Sequence, residues 1–169
     1  MDTKELVIGC GYYRKKRIYA NSDEYVNPVY LDIYEGVKPD IVWDLNNRPL
    51  PFDDNEFSEI HAYDVLEHIG QQGDWRGFFE EFNEYYRIIK PGGVFCITAP
   101  LADKKWAWGD PGHTRIISKG LFSFLDQDLY TEGETSMTDY RFVYNGNFKF
   151  IKELTGDGEI GAYVLQAVK

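Results

Sequence analysis

Glu5-Leu6-Val7-Ile8-Gly9-Cys10-Gly11 decides the reading of this chain. Four residues of strand-forming, mostly apolar character run directly into a glycine pair, the pattern of a buried strand ending in a tight turn. A glycine at such a turn lets the backbone bend sharply and approach a ligand, because no Cβ intrudes. In an open α/β sheet the carboxyl end of the first strand borders the ligand crevice. Gly9, Cys10 and Gly11 are therefore the first candidate binding residues. Position 14, where a dinucleotide fingerprint places its third glycine, holds Arg14. That argues against a pyrophosphate-bearing dinucleotide, and no Walker pattern is present.

Further strands are expected at Val29-Tyr30-Leu31-Asp32-Ile33, at Asp40-Ile41-Val42-Trp43-Asp44 and over residues 58–63. A short helix is expected over residues 64–69. Proline and acidic residues between Arg48 and Glu56 mark a surface loop. The clearest helix runs from about residue 74 to 90. Trp75, Phe78, Phe79, Phe82, Tyr86 and Ile89 form its apolar stripe, with Glu80, Glu81, Asn83, Glu84 and Arg87 opposite. Asp74 caps its start and Lys90-Pro91-Gly92-Gly93 ends it. Val94-Phe95-Cys96-Ile97-Thr98 reads as a central strand covered on both faces. An irregular stretch to about residue 117 follows, then a helix opened by Ser118. Arg141–Tyr144, the Asn145-Gly146 pair and residues 147–153 read as a hairpin, before a last strand over residues 160–168. Alternating strands and helices followed by antiparallel strands predict one α/β domain over residues 1–169. Its architecture is a doubly wound, Rossmann-like mixed sheet with antiparallel C-terminal strands.

The composition bounds the function. Among 169 residues, 28 acids against 18 Lys and Arg leave a formal charge of −10. A field of that sign repels phosphate backbones and anionic lipids, so nucleic-acid and membrane-surface roles are disfavoured. No apolar run approaches the roughly 20 residues that span a bilayer. Cys10 and Cys96, far apart in apolar strand contexts, read as free thiols, and a cytoplasmic location is expected.

Asp32, at the end of the second strand, can accept hydrogen bonds from both hydroxyls of a ribose. Asp44, beyond the third, can accept from an exocyclic adenine amine while Leu45 or Trp43 packs on the ring.

The resemblance becomes specific here. Ile8-Gly9-Cys10-Gly11 resembles the first motif of the class I S-adenosylmethionine-dependent methyltransferases. The segment from Leu50-Pro51-Phe52 to Leu66-Glu67-His68 resembles that family's loop, fourth strand and helix start. Arg87-Ile88-Ile89-Lys90-Pro91-Gly92-Gly93 resembles its junction before the fifth strand. Asp110-Pro111-Gly112-His113-Thr114-Arg115 is similar to a segment in the branch that includes polysaccharide-biosynthesis-associated members.

The resemblance implies S-adenosyl-L-methionine as cofactor. It would be held by Gly9, Cys10, Gly11, Asp32, Ile33, Asp44, Leu45, Asp64 and Val65, with Asp64 and Val65 beside the sulfonium. It also implies methyl transfer to a small-molecule or glycan hydroxyl or amine, with His113, Asp64 and His68 as candidates for the base. His61 alternates within its strand and reads as structural. Tyr13, Arg14, Trp106, Trp108 and His113 are the candidate acceptor-binding residues. Tyr12 is a further candidate for stacking, and the run Arg14-Lys15-Lys16-Arg17 can hold an anionic group or face solvent. No histidine or cysteine spacing predicts a metal. The family usually places an acid or amide two positions before the first glycine, where this chain has Val7. A catalytically silent relative that binds a partner is therefore the second reading, and a nucleic-acid methyltransferase the third. The acceptor pocket is expected from about residues 100–118, from 12–17, or from a second subunit in a homodimer.

Overall fold

The computed structural model describes residues 3–131, 137–155 and 158–169. Among these residues, seven strands form one sheet: β1 (Glu5–Ile8), β2 (Pro28–Asp32), β3 (Ile41–Val42), β4 (Phe57–Tyr63), β5 (Ile89–Pro100), β6 (Phe148–Thr155) and β7 (Ile160–Ala167). Their spatial order is β3-β2-β1-β4-β5-β7-β6. The first five are parallel, and β7 runs antiparallel to both β5 and β6. The order reverses between β2–β1 and β4, so a crevice opens where β1 and β4 end.

Period-2 alternation divides the central strands into two faces. Leu6, Ile8, Ile60, Ala62, Phe95, Ile97 and Leu165 point into the main core, under α1 (Trp75–Ile88). The Asp74 side chain caps that helix by accepting from Gly77 N at 3.1 Å. Phe78, Phe79, Phe82, Tyr85 and Ile88 are its buried stripe. Truncating a fully buried Phe82 to Ala should destabilise by roughly 3–5 kcal/mol. The helix stops at Ile88, and Ile89 is already extended at ψ 145°. Pro91 disfavours helical geometry at Lys90, so the Lys-Pro-Gly-Gly segment opens β5 instead of closing the helix.

The supposed solvent face of α1 is partly interior. Glu81 is 1 % exposed and accepts hydrogen bonds from Arg115 and from the Tyr85 hydroxyl. Asn83 Oδ1 accepts from the backbone N–H groups of Asn145 and Gly146. That capture, with Tyr144 buried against Phe79, replaces the expected Asn-Gly hairpin. Residues 141–143 form a turn, and β6 pairs with β7 instead.

Two other expectations shift. Residues 64–69 hold only a 3₁₀ turn at Leu66–His68. The stretch after β5 contains a short helix, α2 (Lys105–Gly109), followed by α3 (Lys119–Ser123) and α4 (Gln127–Thr131). The connection from β1 to β2 carries no helix: residues 12–27 run as an extended strap over the second face of the sheet. Lys16 and Ile18 point inward and are buried, while Lys15, Arg17 and Tyr19 point out. This is a two-residue period, incompatible with a helical stripe. Among the described residues, no helix is long and apolar enough to cross a membrane.

Candidate active site

The strap is held by a buried charge cluster on the second sheet face. Register sets Glu5 beside Glu59, and His61 follows two residues along β4. Lys16 Nζ lies 3.0 Å from Glu5 Oε2 and 3.0 Å from Glu59 Oε2, all three side chains being 1 % exposed. His61 reaches Glu5 Oε2 through Nε2 at 3.0 Å and Tyr63 Oη through Nδ1 at 2.9 Å. Burial alone would raise the Glu59 carboxyl, but hydrogen bonds from His61, Lys16 and Asn21 outweigh it and hold it at about 2. Burial pushes the Cys96 thiol on the same face well up, so it stays protonated and unreactive. Both cysteines are free and buried.

The glycine turn at the end of β1 is anchored by Asp32. Gly11 N donates to Asp32 Oδ2 at 2.9 Å, and Tyr34 N donates to Oδ1 at 2.9 Å. Gly9 and Gly11 have φ of +58° and +54°, the left-handed region that glycine enters freely. A Cβ on Gly9 would stand 2.3 Å from Val65 Cγ2.

Two clefts flank this turn. The first encloses about 310 Å³ and is walled by Gly9, Asp32, Ile33, Asp44, Leu45, Asp64, Val65 and His68, with Trp43, Asn46 and others. Asp44 Oδ1 accepts from the backbone and side-chain nitrogens of Asn46. The second, of about 340 Å³, is walled by Gly9, Cys10, Gly11, Tyr12, Tyr13, Arg17, Tyr63 and Asp64 among others. Gly9 and Asp64 border both. Asp64 itself sits at φ +57°; its Oδ1 accepts from Thr98 Oγ1 and its Oδ2 from Arg17.

The nine expected cofactor residues thus all line one cleft or the other. The expected acceptor residues are more dispersed. Tyr13 lines the second cleft and is 78 % exposed. Arg14 turns back to donate to the carbonyls of Val37 and Lys38 and stacks over Tyr30. Trp106 and Trp108 stand exposed on α2, outside the walls of both clefts. The basic run is therefore divided among Arg14 on carbonyls, Lys16 in the interior and Arg17 on Asp64.

His113 stands behind His68, their rings 4.6 Å apart and edge to face. Its Nε2 lies 3.9 Å from Asp110 Oδ2, and its Nδ1 is buried with no hydrogen-bond partner. His68 Nδ1 pairs with the Gly112 carbonyl at 3.1 Å. Beside them is Glu67, which sequence reasoning did not single out; its side chain is buried and both oxygens lack hydrogen-bond partners. Burial pushes its carboxyl up to about 7, with the nearby Asp64 charge adding to the rise. Glu5 and Glu59 were also passed over, and Lys16, expected to hold an anionic ligand or face solvent, is instead buried between them. The available signal was two carboxylates at inward positions of otherwise apolar strands, a charge that a fold must pair.

Comparison with known proteins agrees with this geometry. No protein-family model matches the sequence, and no curated protein matches it. Solved structures do. A methyltransferase dependent on S-adenosylmethionine from Archaeoglobus fulgidus is 15 % identical with a TM-score of 0.61, over 97 % of this chain and 86 % of that one. The N-methyltransferase NodS from Bradyrhizobium japonicum gives 11 % identity and 0.58, over 99 % and 86 %. An S-adenosylmethionine-dependent methyltransferase from Mesorhizobium loti gives 14 % and 0.57, over 98 % and 91 %. The chain has the class I S-adenosylmethionine-dependent methyltransferase fold.

Proposed function

We propose that the chain binds S-adenosyl-L-methionine across the two clefts and transfers its methyl group to a small-molecule or glycan hydroxyl or amine. The observation that carries this reading is the Gly11–Asp32 hydrogen bond at the sheet's switch point. It fixes a buried carboxylate beside a backbone turn that has no room for a side chain at Gly9. Asp32 retains lone pairs for the ribose hydroxyls, Asp44 and Leu45 take the adenine, and Gly9, Cys10 and Gly11 take the methionine portion. Asp64 and Val65 stand at the step between the clefts, where the sulfonium belongs. NodS has also been solved with S-adenosyl-L-homocysteine, which supports the cofactor by analogy of fold.

The bound cofactor supplies an activated methyl for in-line displacement, so the protein's work is alignment and exclusion of water. Tyr12 and Tyr13 edge the second cleft, the side from which an acceptor would enter. Asp64 and His68 border the clefts and are the proposed groups facing the acceptor, with His113 behind His68. Arg14, Trp106 and Trp108 would meet an acceptor only if it extends beyond the clefts. A protein of this kind acts in solution on a diffusible acceptor, alone or as a homodimer, in the cytoplasm.

A second reading keeps the fold without catalysis. Val7 is 4 % exposed and packs with Cys10 and Val37, so it brings no polar group to the cofactor's amino end. Calorimetric titration with S-adenosylmethionine and S-adenosylhomocysteine separates the two. Micromolar binding by the wild type, lost in Asp32→Ala, supports the enzyme reading. A folded protein that binds neither ligand overturns it and favours the silent one.

A further inference from the structure

We propose that Glu67, His68 and His113 form a site for one divalent transition-metal cation at the wall of the first cleft. One ligand atom from each lies within 4.8 Å of the other two. Three atoms so spaced share a centre no more than about 2.8 Å from each, so contraction by less than about 1 Å reaches zinc–nitrogen and zinc–oxygen bond lengths. Side-chain rotation supplies a movement of that size.

The polar atoms at this place are otherwise unexplained. Seven buried side-chain polar atoms among the described residues lack a hydrogen-bond partner, and three of them are Glu67 Oε1, Glu67 Oε2 and His113 Nδ1. Leaving a buried carboxylate bare is costly, and buried charges are paired or bind metals. The surroundings also leave one nitrogen free on each ring. His68 Nδ1–H donates to the Gly112 carbonyl, which leaves the Nε2 lone pair free. Asp110 faces His113 Nε2, which leaves the orphaned Nδ1 as the donor atom. A carboxylate or carbonyl behind each ring is the outer shell that metal-binding histidines usually have. Two imidazoles and one carboxylate suit zinc and its neighbours rather than magnesium or calcium.

The other buried set, Glu59, His61 and Cys96, lacks this character. There Lys16 already supplies the positive charge, and both nitrogens of His61 are engaged.

The site stands on its own atoms; its use in catalysis rests on the methyl-transfer reading above. His68 is a wall residue of the first cleft, so a cation held here would stand beside the place proposed for the cofactor and would supply a positive charge able to lower the pKa of a hydroxyl brought to it.

The test uses the full chain, stripped with a chelator, titrated with Zn²⁺ by calorimetry and with Co²⁺ by visible absorption. One equivalent binding at micromolar affinity or tighter is expected, with cobalt bands of a four- or five-coordinate site. Glu67→Gln, His113→Ala and His68→Ala should each weaken it at least tenfold. His68 is exposed, so His68→Ala stays folded even if the buried variants do not. Wild type without a saturable equivalent, or a folded H68A that binds Zn²⁺ as tightly as wild type, overturns the proposal. Asp32→Ala should bind Zn²⁺ normally while losing S-adenosylhomocysteine, and E67Q should do the reverse. A failed methyl-transfer reading is thereby told apart from a failed metal site.

Discussion

Arg17 donates to Asp64 Oδ2 across 2.7 Å, tying the strap that follows the glycine turn to the end of β4. Both side chains are more than a third exposed, so the pair adds only about 0–1 kcal/mol to stability. Its larger effect is local: a fixed cation stands beside the place proposed for a sulfonium.

Arg17→Ala should therefore change ligand preference more than fold. With the guanidinium gone, Asp64 faces a charged S-adenosylmethionine without competition, whereas neutral S-adenosylhomocysteine gains little. The affinity ratio of the first ligand to the second should rise by about three- to tenfold, equivalent to roughly 1 kcal/mol of screened charge interaction. Paired titrations of R17A and wild type measure it. A ratio that stays constant or falls would remove Asp64 from the sulfonium side.

Lys16→Met should destabilise strongly at neutral pH. The side chain keeps its length, but Glu5 and Glu59 are left as adjacent buried carboxylates without their cation. Removing one partner of a buried ion pair costs about 3–5 kcal/mol. Lys15→Met, one residue earlier on the exposed side of the strap, should stay within about 0.5 kcal/mol. Urea unfolding of the two variants makes the comparison, and equal midpoints would mean that the strap is not held by this cluster.

Glu59 gives the fold a dependence on acid. Its folded carboxyl is held at about 2, below the ordinary value of 4.5. A depressed carboxylate stabilises the fold above the unfolded value and loses that contribution as pH falls toward the folded one. Stability should fall between about pH 4.5 and 2 by about 3 kcal/mol from this group. Glu59→Gln should be less stable at pH 7 and show a shallower loss over the same window. A parallel pair of curves would assign the acid sensitivity to other carboxylates.

The parallel half of the sheet was legible because its strands carry local signals. Glycine follows β1, acids follow β2 and β3, and an unmistakable apolar stripe marks α1. Asp32 and Asp44 could be singled out for the same reason, since a ligand crevice lies at strand ends, whereas Asp64 came only from the family resemblance. The strap was not legible, because nothing local says that Lys16 would be drawn into the interior. That depends on Glu5 and Glu59, 54 positions apart, being set side by side by β1–β4 register. The Asn145-Gly146 pair misled for a related reason. Its turn propensity is real, but Asn83 on α1 captures both backbone N–H groups. The cluster of Glu67, His68 and His113 joins two loops through the fold, so spacing along the chain carries no trace of it.

The two glycines of the turn should respond differently to the same methyl group. Both sit at positive φ, so alanine at either carries a backbone penalty of about 1–2 kcal/mol. At Gly11 that is the whole effect, because no heavy atom lies within 4 Å of the added Cβ. Gly11→Ala should lower stability by that amount and leave the floor between the clefts intact. At Gly9 the methyl meets Val65 Cγ2 at 2.3 Å, and the strand end or the Val65 side chain must move. Gly9→Ala should add about 1–3 kcal/mol of overpacking and reduce S-adenosylhomocysteine affinity at least tenfold. Val65→Ala removes the clashing methyl groups, so the double variant should recover the overpacking part of the loss but none of the φ penalty. Thermal unfolding and calorimetry on wild type, the three single variants and the double variant give the comparison. If G9A and G11A lose equal stability, and V65A does not rescue G9A, the approach of Val65 to Gly9 does not shape the site.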